Sequence, residues 1–233
     1  MDFFFNANLL EGVSSINIEQ SKHLRVLRKK VGDIIVLTNG KGLYSECEIE
    51  KIDNNGCVVN VLDIKQAECP KQRLTLGISP LKNPDRFEWL VEKCTEFGVG
   101  KIVPIVCERT ESTIKKPERL QRIVEAAFIQ SQQFYMPEIT APISFLNFLK
   151  EHDNTQKIIA WCGDYEKTPL ISAMEKNKNT VCLIGPEGDF TKNEFEIALN
   201  NGYKPVTLGE NRLRSETAAV CVSNAFYLIN NEL

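Results

Sequence analysis

From residue 73 onward, apolar runs of strand length alternate with stretches whose apolar residues recur at helical spacing, and this alternation constrains the fold more than any other feature of the chain. The strand runs cover residues 73–79, 101–106, 157–162, 180–185 and 204–208. Asn83 and Pro84 open a helix as N-cap and first-turn proline, and Gly98 closes it. Phe87, Leu90, Val91, Cys94 and Phe97 form its apolar stripe. Pro117 starts a second helix, striped by Leu120, Ile123, Val124, Ala127 and Phe128. Thr191 to Glu194 is a capping box opening a third, which ends at Gly202. Strands joined through helices pair in parallel and are covered on both faces, so an α/β sheet is expected.

Residues 1–70 have another texture. Phe3-Phe4-Phe5 reads as a short buried strand, and Ile34 to Thr38 as a second. Asn39-Gly40-Lys41-Gly42 is a turn, Tyr44 to Ile52 alternates, Asp53-Asn54-Asn55-Gly56 turns again, and Cys57 to Leu62 follows. Short strands with turns at this spacing suggest a small β-barrel. The polar stretch Ile64 to Arg73, with Pro70, divides the chain into a β domain at 1–70 and an α/β domain at 73–233. The last helix, from Ser215, is apolar all round through Ala218–Val222 and continues with Ala225, Phe226, Leu228 and Ile229. Such a helix is buried, either within the domain or in a subunit interface.

With 233 residues, 42% of them hydrophobic, the chain can bury one large core or two modest ones. It has no apolar run of about 18 residues, so no membrane helix is expected, and Met1 to Phe5 lacks the basic start of a signal peptide. The 8 cysteines include no CxxC pair, and most lie in apolar runs such as Val181-Cys182-Leu183. With His23 and His152 the only histidines, no metal site is expected, and reduced thiols in a cytoplasmic protein are. Net charge is −3, yet Lys22, Arg25, Arg28, Lys29 and Lys30 form an acid-free cluster, and Arg109, Lys115, Lys116, Arg119 and Arg122 a second. Each fits a nucleic-acid contact or a solvated face.

Ligands of open α/β sheets bind beyond the carboxyl ends of the strands, which selects three loops. They are Trp161 to Asp164, Gly185 to Phe190, and Gly209 to Thr217. Glycine admits close backbone approach and Pro186 stiffens the second loop, although the same pattern also serves as a turn before a capped helix. No GxGxxG or Walker sequence is present, which disfavours dinucleotide oxidoreductases and P-loop enzymes. The third loop concentrates Arg212, Arg214 and Glu216 at a helix N-terminus, suited either to an anion or to a surface pair between Arg212 and Glu216.

Five stretches, in order, resemble the RsmE-type ribosomal RNA uridine-N3 methyltransferases nearly end to end. They are His23 to Arg28; Lys82 with Asp85 to Val99; Ile102 to Arg109; Gly185 to Phe190; and Leu208-Gly209 with Leu213 to Ala218. The resemblance implies a PUA-like, RNA-binding barrel at 1–70. It implies a SPOUT methyltransferase domain at 73–233, with a C-terminal trefoil knot and a homodimeric state. It further implies S-adenosyl-L-methionine as cofactor and N3 of one uridine in 16S ribosomal RNA as target, reached in the assembled small subunit. The cofactor residues it implies are Trp161, Ile184, Gly185, Pro186, Glu187, Gly188, Leu208, Gly209, Asn211, Leu213 and Ala218. Arg214 is the implied catalytic guanidinium and Glu216 its orienting partner, while Lys22, Arg25, Arg28, Lys29, Lys30, Lys82 and Arg109 are the implied RNA contacts. Departures from the family pattern are Asn211 at a usual arginine, Arg212 at an aliphatic position, Gln132 to Tyr135 after Gln130-Ser131, and Asp2 at a usual basic residue. The alternatives are a knotted methyltransferase acting elsewhere on RNA or on transfer RNA, and an RNA-binding module with a degenerate catalytic domain.

Overall fold

The computed structural model describes residues 2–16, 24–53, 56–151 and 155–231. Lys22, His23, Asn54, Asn55 and His152 lie outside them. The chain forms two compact units, one of residues 1–70 with 128–136, the other of residues 71–127 with 137–233.

The first unit is a β-sheet in the order β1-β3-β4-β5-β2, made of β1 (Phe3–Phe5), β2 (Gly12–Ile16), β3 (Ile34–Thr38), β4 (Leu43–Asp53) and β5 (Gly56–Val61). A two-residue strand, β6 (Lys65–Gln66), pairs with β4. Strand β5 alternates half-buried and buried residues, sending Cys57, Val59 and Val61 into a core with Phe4, Leu24, Ile35, Leu37 and Ile49. Residues 128–136 join this unit through their aromatics. Phe134 packs on Tyr44 at 4.3 Å and on Phe3 at 5.4 Å. The Tyr135 hydroxyl accepts from Gln66 Nε2 at 2.8 Å and donates to the Ala67 carbonyl at 3.0 Å. Of the residues that follow Gln130-Ser131, Phe134 and Tyr135 are therefore packing residues here, while Gln132 is exposed.

The second unit is a sheet whose pairings are all parallel, in the order β10-β8-β7-β13-β11-β14-β12. Its main strands are β7 (Leu74–Ile78), β8 (Lys101–Val106), β11 (Gln156–Ala160), β13 (Thr180–Ile184) and β14 (Lys204–Thr207). The two-residue strands β9 (Glu138–Ile139), β10 (Ile143–Ser144) and β12 (Thr168–Pro169) flank them. Strand β13 is buried along its whole length between β7 and β11, as a strand covered on both faces must be. The longer helices are α1 (Pro84–Glu96), α2 (Pro117–Gln130), α5 (Lys192–Asn200) and α6 (Ser215–Asn230); α3 (Phe145–Leu149) and α4 (Leu170–Ala173) are short. The Asn83 side chain caps α1, and Gly98 leaves it at φ 71°. Helix α6 packs on α1, β7 and β13. No helix among the described residues is long and apolar enough to cross a membrane.

Most cysteines are core residues. Burial pushes the thiols of Cys94 and Cys107 up to about 12 and that of Cys57 up to about 11. No group of His, Cys, Asp and Glu among the described residues could hold a metal ion.

Candidate active site

Because β11, β13 and β14 run parallel and adjacent, the loops after them leave from one edge of the sheet. They enclose a cavity of about 640 Å³. The first loop lines it with Trp161 and Cys162, the second with Ile184, Gly185, Pro186 and Glu187, and the third with Leu208, Gly209, Asn211 and Leu213. Ala218 on α6 completes the apolar wall. Gly188 is outside this lining. A Cβ on Gly185 would stand 3.0 Å from the Phe190 amide nitrogen, and Gly209 has φ +120°, so both turns depend on glycine. The Asp189 carboxylate ties the first two loops together, accepting from the amides of Cys162 and Phe190, each at 2.8 Å. Burial, followed by this carboxylate, raises the Cys162 thiol pKa. The Trp161 ring stacks on Phe195 at 3.8 Å, which fixes one wall.

Hydrogen bonds from neighbouring segments hold the second loop. Glu187 Oε1 accepts from the Lys82 amide at 2.9 Å, and Arg109 Nη1 donates to the Gly188 carbonyl at 2.8 Å. From the far side, the Ser215 hydroxyl donates to the Gly185 carbonyl at 2.8 Å. The Lys82 ammonium pairs with Glu111 at 2.8 Å, which raises its pKa. Thus the Lys82 amide and the Arg109 guanidinium, of residues expected at RNA, hold the central loop without lining the cavity.

Arg214 is the N-cap residue of α6, and both it and Glu216 line the cavity. The Glu216 carboxylate, 7% exposed, forms an ion pair with Arg86 Nε at 3.7 Å. Arg86 lies outside the set expected from sequence, though within the Asp85–Val99 stretch that carries the resemblance. It also lines a second cavity, of about 610 Å³, with Asp85, Trp89, Arg212, Arg214 and Glu216. In the first unit, Arg25 donates to the Asp53 carbonyl and Lys29 pairs with Asp2 at 2.8 Å. Arg28 and Lys30 are exposed.

The comparisons with known proteins agree with one another. Residues 67–226 match the family described as RNA methyltransferase domain, and residues 16–62 the RNA methyltransferase PUA domain. Ribosomal RNA small subunit methyltransferase E of Rickettsia conorii is 30% identical over 226 residues, covering 93% of this chain and 91% of that protein. The crystal structure of a probable rRNA-methyltransferase from Porphyromonas gingivalis superposes with a TM-score of 0.91 at 32% identity, covering 99% of this chain and 98% of that one. Ribosomal RNA small subunit methyltransferase E from Neisseria gonorrhoeae, solved bound to S-adenosyl methionine, superposes with a TM-score of 0.87 at 26% identity over 99% of this chain and 98% of that one. The α/β fold is thus that of a PUA-like domain joined to an RNA methyltransferase domain, and the chain belongs to the ribosomal RNA small subunit methyltransferase E family.

Proposed function

We propose that the protein methylates N3 of a uridine in 16S ribosomal RNA, with S-adenosyl-L-methionine as donor. The observation that carries this reading is the convergence of three loops on one cavity with Arg214 at its rim. The cavity fits that cofactor. It combines the aliphatic side chains of Ile184, Leu208 and Leu213 with glycine backbone at Gly185 and Gly209, and so offers apolar side chains beside peptide groups. When bound, the cofactor supplies an electrophilic methyl group on a sulfonium. Ile184, Pro186, Leu208, Leu213 and Ala218 enclose it and exclude water, while Trp161, Glu187, Gly188 and Asn211 shape the loops around it.

The chain's own residues prepare the acceptor. N3 of uracil carries a proton and points into any base pair, so the base must be unpaired or extruded. Losing that proton leaves negative charge over N3 and the flanking carbonyl oxygens. The Arg214 guanidinium stabilises that charge, and Glu216 orients the guanidinium groups around the rim. Arg28 and Lys30 contact phosphates from a PUA-like barrel, with Lys22 and Arg25 as further contacts and Lys29 held in reserve by Asp2, and so set register rather than sequence. On the catalytic unit, Lys82 and Arg109 are further RNA contacts.

Three further features belong to this reading. Strand β14 lies beyond β11 from β13, yet α6, which follows β14, packs back on β13, β7 and α1. This return of α6 over the sheet supports a C-terminal trefoil knot. The exposed Tyr227 (43%) and Leu228 (58%) on α6 support pairing with a second copy. The target is reached in the assembled small subunit, in the cytoplasm.

The test is incubation with labelled S-adenosylmethionine and small subunits from cells lacking uridine-N3 methylation, followed by nucleoside analysis of the RNA. Label in 3-methyluridine is expected. Label in another nucleoside moves the target atom, and absence of label overturns the reading, whether or not the cofactor binds.

A further inference from the structure

The second cavity, of about 610 Å³, adjoins the cofactor cavity and shares Arg86, Arg214 and Glu216 with it. Helix α1 supplies Asp85, Arg86 and Trp89 on one side, and the segment after β14 supplies Arg212 and Arg214 on the other. Its volume lies within the range of about 300–1,000 Å³ usual for small-molecule sites. Trp89 is 44% exposed on a helix whose Phe87, Leu90, Val91 and Cys94 are all buried. It therefore presents indole surface to the cavity rather than to the core. Trp161, in contrast, is already stacked on Phe195. Base–aromatic stacking is how proteins hold nucleobases outside a helix.

The charges around this indole point the same way. Three guanidiniums, of Arg86, Arg212 and Arg214, outnumber the carboxylates of Asp85 and Glu216. Glu216 is buried and stands 3.7 Å from Arg86 Nε, an ion pair that draws the Arg86 guanidinium towards the start of α6. A flat apolar wall beside fixed positive charge suits a ligand that is planar, uncharged on arrival and anionic as it reacts. Resting on the functional reading above, we propose that the cavity between α1 and the start of α6 receives the extruded pyrimidine base. Trp89 stacks on the ring, and Arg86, with Glu216 as its positioning residue, faces a ring carbonyl oxygen.

The test uses the full-length protein and small subunits that lack the methyl group. Trp89→Ala is expected to lower single-turnover methylation by about 5- to 150-fold, the range for removing one base-stacking aromatic. S-adenosylmethionine affinity by calorimetry and the sedimentation coefficient should not change, and Trp89→Phe should restore most of the rate. In the wild type, RNA carrying 5-iodouridine at the methylated position should photo-crosslink to the Trp89 peptide. Glu216→Gln and Arg86→Ala should each lower kcat with KM for RNA unchanged, and the double variant should lower it no further. A wild-type rate in Trp89→Ala, a crosslink confined to other peptides, or a monomer on removing the indole overturns the proposal. Wild-type protein that binds cofactor but labels no RNA overturns the functional reading, and this pocket with it. An active wild type with an equally active Trp89→Ala overturns the pocket alone.

Discussion

At the scale of single residues, Arg214 holds the position from which a side chain best meets developing negative charge. It is the N-cap residue of α6, its side chain makes no cap hydrogen bond, and it lines both cavities. Arg214→Ala is therefore expected to cost about 10²–10³ in kcat, as removal of one oxyanion donor does, with cofactor affinity and melting temperature unchanged. A matching fall in cofactor affinity would make Arg214 a binding residue instead. Gly77 offers a structural counterpart. A Cβ there would stand 2.5 Å from the ring of Phe148, which is fully buried. Gly77→Ala should cost about 1–3 kcal/mol in urea titration, the usual penalty of overpacking. The three loops could be read from sequence because glycine and proline punctuate apolar runs locally. The partners of Arg86 and Arg109 could not, since Glu216 and Gly188 lie far along the chain and meet them only once the sheet has formed.

Among elements, α5 shows how one capping box serves two purposes. The Thr191 hydroxyl accepts from the Glu194 amide, and the Glu194 carboxylate accepts from the Thr191 amide at 2.9 Å. That carboxylate, buried, also accepts from the Glu108 amide at 2.8 Å, in the loop that carries Arg109. Thr191→Ala should cost about 1 kcal/mol, the worth of an N-cap. Glu194→Ala should cost more, since it also leaves a part-buried N–H unpaired at about 1–3 kcal/mol. Urea titration of both variants checks the order, and equal destabilisation would show that the Glu108 hydrogen bond is worth nothing. The capping box, the proline starts of α1 and α2, and the main strands of the parallel sheet were legible, because each carries its own terminal chemistry or an uninterrupted apolar run. Helix α3 was not, being too short for periodicity, although Phe145 and Phe148 enter the core. Nor was the assignment of residues 128–136 to the first unit, which depends on Phe134 meeting Tyr44 and Phe3.

For the whole molecule, the question is how a chain of net charge −3 holds ribosomal RNA. Affinity for a polyanion follows the local density of free cations rather than their sum, because each phosphate contact releases condensed counterions. In the first unit, Arg28 and Lys30 are exposed, while Lys29 is paired with Asp2 at 2.8 Å. Asp2 thus neutralises one cation of the cluster. If these residues touch phosphates, Arg28→Ala with Lys30→Ala should flatten the plot of log affinity against log salt by about 0.7–0.9 for each phosphate no longer neutralised. Cofactor affinity should stay constant. Asp2→Asn should act in the opposite sense, steepening the slope by up to about 0.7–0.9 as Lys29 is released to a phosphate. Filter binding of small subunits across a salt series reads both. A slope unmoved by Asp2→Asn, alongside a flattened one in the double variant, would place Lys29 in folding of the unit and leave RNA binding to its neighbours. A slope unmoved by any of the three substitutions would shift the RNA surface off this segment altogether, onto Lys82 and Arg109 at the edge of the catalytic loops.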